Sequence, residues 1–252
     1  MTKALVPTMG ALHRGHLALV ERARELADDV VVSIFVNPTQ FGANEDFDRY
    51  PRTLDADRAL IGGRAEIFAP AIDEVYPPDN PPEIIRADAR GDVWEGASRP
   101  GHFDGVLTVV NRLFDLTQPD VAVFGEKDWQ QLALIRSMAA DHHPTIRIVG
   151  VPTVRDSDGV ALSSRNRFLS AEERETAPLI PAALENIVAA GGSADSVALA
   201  RETLEQSGVV VDYLAVIHPE TLERAKPHEP ARVIVAARIG EIRLIDNMRL
   251  RD

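Results

Sequence analysis

Two imidazoles stand three residues apart in His13-Arg14-Gly15-His16, directly after Pro7-Thr8-Met9-Gly10-Ala11-Leu12. The segment falls where an apolar run ends and an amphipathic stretch begins, the place where a strand gives way to a helix. The first backbone N–H groups of a helix have no partner within it and the helix dipole is positive there, so a phosphate is favoured. Gly15 lets the backbone approach an anion closely, and both histidines, on one face of the turn, can donate to the same oxygens. Such donors suit attack at the α-phosphorus of ATP, because they stabilise a pentavalent transition state and the leaving pyrophosphate more than the ground state. The four residues alone also fit a metal-ligand fragment or two surface histidines at a helix cap. A metal site would want further His or carboxylate ligands, and none is close in sequence.

Three other segments carry polar groups to the ends of apolar runs. In Gly125-Glu126-Lys127-Asp128, Lys127 offers a positive charge for a triphosphate and Asp128 an acceptor for ribose hydroxyls, or Asp128 simply caps a charged helix start. The tandem Gln130-Gln131 adds amides that orient a polar substrate or lie exposed. Asn37-Pro38-Thr39-Gln40-Phe41 pairs an amide with an aromatic ring, and taken alone is an ordinary turn. Ser163-Ser164-Arg165-Asn166 supplies hydroxyls and a guanidinium for phosphates, or is an interdomain linker. His102, after Gly101, reaches a ligand or begins a helix.

The elements that must position these groups alternate short apolar runs with amphipathic stretches, the pattern of parallel strands joined by crossover helices. Strands are expected at Ala4 to Val6, Val30 to Val36, Glu66 to Ala69, Val121 to Phe124 and Ile146 to Val149. Helices are expected at His16 to Ala27, Thr53 to Ile61, Phe103 to Leu116 and Asp128 to Ala140. The result is an α/β, Rossmann-like, mostly parallel sheet with helices on both faces. Pro77-Pro78-Asp79-Asn80-Pro81-Pro82 is a surface connection within it. After Arg165 the texture changes to helices at Ala171 to Ala190 and Ala194 to Gln206, then strands at Val209 to Ile217, Arg232 to Ala237 and Glu241 to Ile245. This is a smaller C-terminal α+β domain, so the expected division is 1–164 and 165–252. In open α/β sheets ligands bind at the carboxyl ends of the strands, where the first three of these segments fall.

Composition narrows the partners. The formal charge of −12, from 27 Lys and Arg against 39 Asp and Glu, repels a phosphate backbone and argues against nucleic acid. No run approaches the roughly 20 apolar residues of a membrane helix, and the opening residues lack a signal peptide's apolar stretch, so a cytoplasmic protein is expected. With no cysteine, thiolate chemistry and disulfides are excluded.

Together and in order, these segments resemble the pantothenate synthetase family, a likeness that includes Gly101-His102-Phe103-Asp104-Gly105-Val106 and Leu244-Ile245-Asp246-Asn247 and runs nearly end to end. The histidine pair by itself marks a wider group of nucleotidyltransferases and class I aminoacyl-tRNA synthetases. The resemblance implies an ATP-dependent ligase. Pantoate attacks the α-phosphate of ATP to give pantoyl adenylate and pyrophosphate; the amine of β-alanine then displaces AMP, forming pantothenate, a precursor of coenzyme A. Magnesium accompanies the ATP, no metal is bound by the protein itself, and the family suggests a homodimer.

By the family's motif, Met9, Gly10, Ala11, Leu12, His13, Arg14, Gly15 and His16 border ATP, with His16 as proton donor and His13 supporting the phosphates. Gly125, Glu126, Lys127, Asp128, Val154, Leu162, Ser163, Ser164 and Arg165 line the nucleotide, with Lys127 and Arg165 among the catalytic set. Gln40 touches pantoate and β-alanine, Gln131 holds pantoate, and Asn37 completes the substrate set. The second domain is expected to act as a lid over an intermediate prone to hydrolysis. Family members generally carry a helix ahead of the first strand, whereas this chain opens almost directly on Lys3-Ala4-Leu5-Val6; Leu162 stands where methionine is frequent and Trp129 where tyrosine is common. The competing readings are a nucleotidyltransferase, which needs no amine, and a catalytically dead nucleotide-binding module.

Overall fold

β-Branched runs make the first half of the chain a sheet. The computed structural model, which describes residues 1–42 and 47–251, has parallel strands β1 (Lys3–Thr8), β2 (Asp29–Ile34), β3 (Glu66–Phe68), β4 (Val121–Gly125) and β5 (Arg147–Val151). Their order in the sheet is β3-β2-β1-β4-β5. Alternation along β1 sorts the two faces. Ala4 and Val6, with Val30, Val32, Val121 and Val123, bury against Leu19, Val20 and Ala23 of helix α1 (Arg14–Arg24) and Ile61 of α2 (Leu54–Ile61). Leu5, fully buried, points the other way, and there α5 (His102–Thr117) packs on β1. The short helices α3 (Ile72–Val75) and α4 (Glu95–Ser98) precede α5, and α6 (Trp129–His142) links β4 to β5. The expected α/β class is therefore the observed one. Most of the expected strands and helices recur within a few residues; α3, α4 and the 3-10 turns at Pro38–Gln40, Ala89–Gly91, Glu126–Asp128 and Ser164–Phe168 are additions.

The chain leaves β1 toward β2 on one side and returns on the other to β4. The order of connection thus reverses between β1 and β4, the position at which open α/β sheets bind ligands beyond the strand carboxyl ends. The His13–His16 turn follows β1, and Gly125 ends β4.

The chain divides into two compact units, Met1–Glu126 with Gln130–Pro152, and Lys127–Trp129 with Thr153–Asp252. The second contains α7 (Ala171–Thr176), α8 (Leu179–Ala189) and α9 (Ala194–Gln206), followed by an antiparallel sheet of β6 (Val210–Ile217), β7 (Ala231–Ile239) and β8 (Ile242–Arg251) in the order β6-β7-β8. Its core joins Ile180, Leu184, Ile187 and Leu204 of the helices to Leu214, Val233 and Val235 of the sheet. The single helix expected over 171–190 is two, because Pro178 supplies no N–H to continue α7 and instead starts α8. β8 runs to Arg251 rather than stopping at Ile245, because it follows β7 along its whole length.

Candidate active site

The turn after β1 is a helix cap built from histidines. His13 is the N-cap of α1, and its Nδ1 accepts the Gly15 N–H at 3.1 Å. His16, three residues on, returns the bond: its Nδ1 accepts the His13 N–H at 3.2 Å. This is a capping box in which imidazoles replace the usual hydroxyl and carboxylate. A ring nitrogen that accepts a hydrogen bond carries no proton, so each neutral ring has its hydrogen on Nε2. The cap therefore fixes both tautomers as Nε2 donors, on rings whose centroids are 4.1 Å apart. Arg14, between them, is exposed.

The strand-to-helix turn is itself anchored from α2. Asp57, only 2% exposed, accepts the N–H of Ala11 at 3.1 Å on Oδ2 and that of Leu12 at 2.8 Å on Oδ1, and Thr53 Oγ1 lies 3.2 Å from Oδ2. Gly10 and Ala11 both sit in the left-handed region, at φ 80° and 51°. A Cβ on Gly10 would lie 3.0 Å from Asp57 Oδ2 and 3.1 Å from Ile34 Cγ2, so strain and space together require glycine.

Gln40 is held by both its backbone and its side chain. Its carbonyl oxygen lies 2.9 Å from His102 Nδ1 and accepts from Arg99 Nη2 at 3.3 Å. Since a carbonyl only accepts, His102 carries its hydrogen on Nδ1, and Nε2 accepts from Arg99 Nη1 at 3.0 Å. Glu95 pairs with the same guanidinium at 3.7 Å. The Gln40 side chain accepts on Oε1 from Asn37 Nδ2 at 3.0 Å and directs Nε2 to Met9 Sδ at 3.2 Å. Asn37, 1% exposed, gives its second amide hydrogen to Gly105 O at 3.1 Å, and its Oδ1 accepts from Thr39 and from the Tyr76 hydroxyl at 2.7 Å. Burial pushes the Tyr76 phenol above its ordinary value, against the lowering effect of its hydrogen bond with Thr39. Met9, Asn37 and Gln40 are thus brought together, with Asn37 engaged on all sides by protein groups.

The paired glutamines of α6 part company. Gln130 is buried, accepting the Glu95 N–H at 3.0 Å and donating to the carbonyls of Arg90 and Val93 at 2.8 Å each. Gln131 is half-buried, and its side chain makes no hydrogen bond among the described residues.

Lys127, Asp128, Val154 and Leu162 to Arg165 belong to the other unit. There the late Asp246-Asn247 pair acts as a bracket. Asn247 Nδ2 donates to the Lys127 carbonyl at 2.8 Å, while Asp246 takes the Arg155 guanidinium in a fork at 2.6 and 2.9 Å. Arg232 donates to Asn247 Oδ1 and lies 3.6 Å over the Trp129 ring, whose Nε1–H donates to Pro219 O at 2.9 Å. Val154 O accepts the Leu162 N–H at 2.9 Å across a hairpin whose turn is tied by Arg174 to Asp156 and Asp158. The Arg174 hydrogen bond holds the Asp158 carboxyl below its ordinary value. Ser163 caps the 3-10 turn through the Arg165 N–H at 3.3 Å.

Asp57, Tyr76, Arg99 and Glu95 were not singled out from sequence. Among the described residues no group of three or more His, Asp or Glu side chains gathers as a metal site, and no helix is long and apolar enough to cross a membrane.

Comparison with known proteins bears on this arrangement along its whole length. A family profile described as pantoate-beta-alanine ligase matches residues 1–249. The pantothenate synthetase of Leifsonia xyli is 54% identical over 252 residues, covering 98% of this chain and 88% of that protein. The crystal structure of the Thermus thermophilus pantothenate synthetase superposes with a TM-score of 0.94 at 49% identity, covering 100% of this chain and 94% of that one. The Francisella tularensis pantoate-beta-alanine ligase, crystallised with beta-gamma ATP and beta-alanine, has a TM-score of 0.84 at 34% identity, covering 99% and 90%.

Proposed function

This chain belongs to the pantoate-beta-alanine ligase family, and from that premise we infer that it condenses pantoate with β-alanine at the expense of ATP. The chemistry requires two displacements, because a carboxylate yields no amide until its oxygen is made a leaving group. In the first, a pantoate carboxylate oxygen attacks the α-phosphorus, the bond to the β-phosphate bridge breaks, and pyrophosphate departs. In the second, the neutral amine of β-alanine attacks the acyl carbon, AMP leaves with the electrons of the carbon–oxygen bond, and the amine loses a proton as the amide forms.

The observation that carries this reading is the histidine cap. His13 and His16 spend Nδ1 on the backbone, which puts two Nε2–H donors at a helix N-terminus beyond β1, where negative charge develops as pyrophosphate leaves. Met9 to His16, Gly125 to Asp128, Val154 and Leu162 to Arg165 border ATP, with Lys127 and Arg165 as the cations for its phosphates. Magnesium enters with ATP as its counter-ion. Gln40 and Gln131 hold pantoate, and Gln131, with its amide uncommitted among the described residues, suits that role better than Gln130. The working form is a cytoplasmic homodimer, as the family resemblance suggests. Incubation with ATP, magnesium, pantoate and β-alanine should release AMP in proportion to pantothenate. AMP release that ignores β-alanine would overturn the assignment, as would a stable nucleotidyl product.

A further inference from the structure

A glutamine amide has two nearly isosteric ends, and the end it offers a ligand decides whether it donates or accepts. For Gln40 the choice is made by its neighbours. Asn37 Nδ2 donates to Gln40 Oε1, which leaves Nε2 as the outward end, now 3.2 Å from the weak acceptor Met9 Sδ. Asn37 in turn is oriented by a ring of partners of opposite kinds. The Gly105 carbonyl, at 3.1 Å, can only accept, so it selects the Asn37 amide nitrogen. On the other side the Thr39 N–H, the Thr39 hydroxyl and the Tyr76 hydroxyl all meet Oδ1, at 3.3, 3.0 and 2.7 Å.

Tyr76 makes the shortest of these bonds and, of these three donors, is the one that comes from outside the turn. It is 39 residues from Asn37 in sequence and is fixed independently. Its own N–H bonds Ile72 O at 2.7 Å, its ring lies 6.1 Å from that of Phe35, and the preceding carbonyl of Val75 accepts from Arg112 on α5 at 3.2 Å. The phenol has one hydrogen. Its contact with Thr39 Oγ1 is longer, at 3.2 Å, so the hydrogen goes to Asn37.

We propose that Tyr76 is a positioning residue for substrate selection: its hydroxyl, acting through Asn37, sets the Gln40 amide with N–H outward, so that the site takes an acid presenting an oxygen acceptor at that point. The proposal rests on the reading that Gln40 contacts pantoate. Tyr76 itself touches no substrate.

The test is Tyr76→Phe, which keeps the ring and removes only the hydroxyl. The KM for pantoate should rise roughly 5- to 20-fold, the size of one lost hydrogen bond that is partly shielded from solvent. The KM for ATP should stay within about twofold, because of the residues that border ATP only Met9 meets this chain of bonds, and only as a weak thioether acceptor at its end. In a Gln40→Ala background the same substitution should add less than about twofold, since the group through which Tyr76 acts is gone. A Tyr76→Phe enzyme with unchanged pantoate KM, one with both KM values raised together, or one whose effect multiplies undiminished on Gln40→Ala would overturn the proposal while leaving the ligase reading intact. If Gln40→Ala alone leaves the pantoate KM unchanged, the contact on which the proposal rests is absent and the proposal falls with it; the ligase assignment is judged separately, by AMP release.

Discussion

The N–H of Leu12 is bound to Oδ1 of Asp57 at 2.8 Å, although the two residues are 45 apart in the chain. The bond ties the turn that carries both histidines to helix α2, and the second carboxylate oxygen takes Ala11 in the same way. A backbone held at left-handed φ in Ala11 persists because these two bonds compensate its strain.

Asp57→Asn should therefore be felt at the histidines. One carboxylate oxygen becomes an NH2 group facing a backbone N–H, donor against donor, at a cost of about 1–3 kcal/mol for the unsatisfied group. A turn displaced by even an ångström misaims His13 and His16, and such displacements cost on the order of 10²-fold in rate. Thermal unfolding and ATP–pyrophosphate exchange read the two effects. An Asn variant neutral in both would show that the clamp positions nothing.

Each histidine has two duties, one per ring nitrogen, and substitutions can separate them. His13→Ser keeps a good N-cap and His16→Gln keeps the third helical residue able to reach back to the N-cap N–H, so both should unfold within about 1 kcal/mol of wild type. Neither supplies an imidazole Nε2–H, so adenylate formation should fall by about 10²- to 10³-fold. His16→Ala should lose both rate and cap. Unchanged pyrophosphate release in His16→Gln would remove the donor role.

Gly105→Ala tests the close approach of α5 to the Asn37–Gln40 turn. The added Cβ would lie 2.4 Å from Thr39 O and 2.8 Å from Gln40 Cα, backbone atoms that cannot rotate away. Overpacking of this kind costs roughly 1–3 kcal/mol, and the segment that gives way carries Gln40. A lower melting temperature with a raised KM for pantoate is the expected pair of results. Normal pantoate kinetics would mean that the helix, not the turn, absorbs the strain.

How much of this was legible in the chain depended on distance along it. The histidine turn could be read because its glycine, both imidazoles and the flanking strand and helix patterns are contiguous. Asp57 could not be read: in an amphipathic helix it looks like one more solvent-facing carboxylate, and only the fold brings it 2.8 Å from Leu12. The same holds for Tyr76, beside a Pro-rich connection that reads as surface. Gln130 and Gln131 were inseparable as a dipeptide; helical rotation sends one to the carbonyls of Arg90 and Val93 and leaves the other uncommitted. In β8, Asp246, Asn247, Arg249 and Arg251 mask the strand by composition, and the partners Arg155 and Lys127 that satisfy the buried pair lie far upstream.

Arg232 and Asn247 give the opposite kinetic signature to Gly105. They hold the Lys127–Trp129 segment within the C-terminal unit through the Trp129 ring and the Lys127 carbonyl. Asn247→Ala leaves that carbonyl without its donor, a loss of about 1–3 kcal/mol when the group stays buried. Because Lys127 is one of the two cations proposed for the triphosphate, the KM for ATP should rise several-fold while that for pantoate holds. A rise confined to pantoate would contradict the assignment of Lys127.

The Tyr76 phenol gives a prediction in pH. Burial raises its folded pKa above the ordinary value of 10.0 that the unfolded chain would show. A group raised on folding holds its proton more tightly in the native state, so unfolding between the two values releases a proton. Its contribution to stability is fully present below the unfolded value and is lost as pH rises through the folded one. Wild type should thus lose stability above about pH 10 relative to Tyr76→Phe, which lacks the titrating group. The ultraviolet signal of tyrosine ionisation supplies a second reading: of the three tyrosines, the one that Tyr76→Phe removes, isolated in the wild-type minus variant difference, should be a late titrator. A component that disappears below the ordinary phenol range, or a variant that loses stability faster than wild type with rising pH, would contradict a Tyr76 hydroxyl held protonated by burial against Asn37.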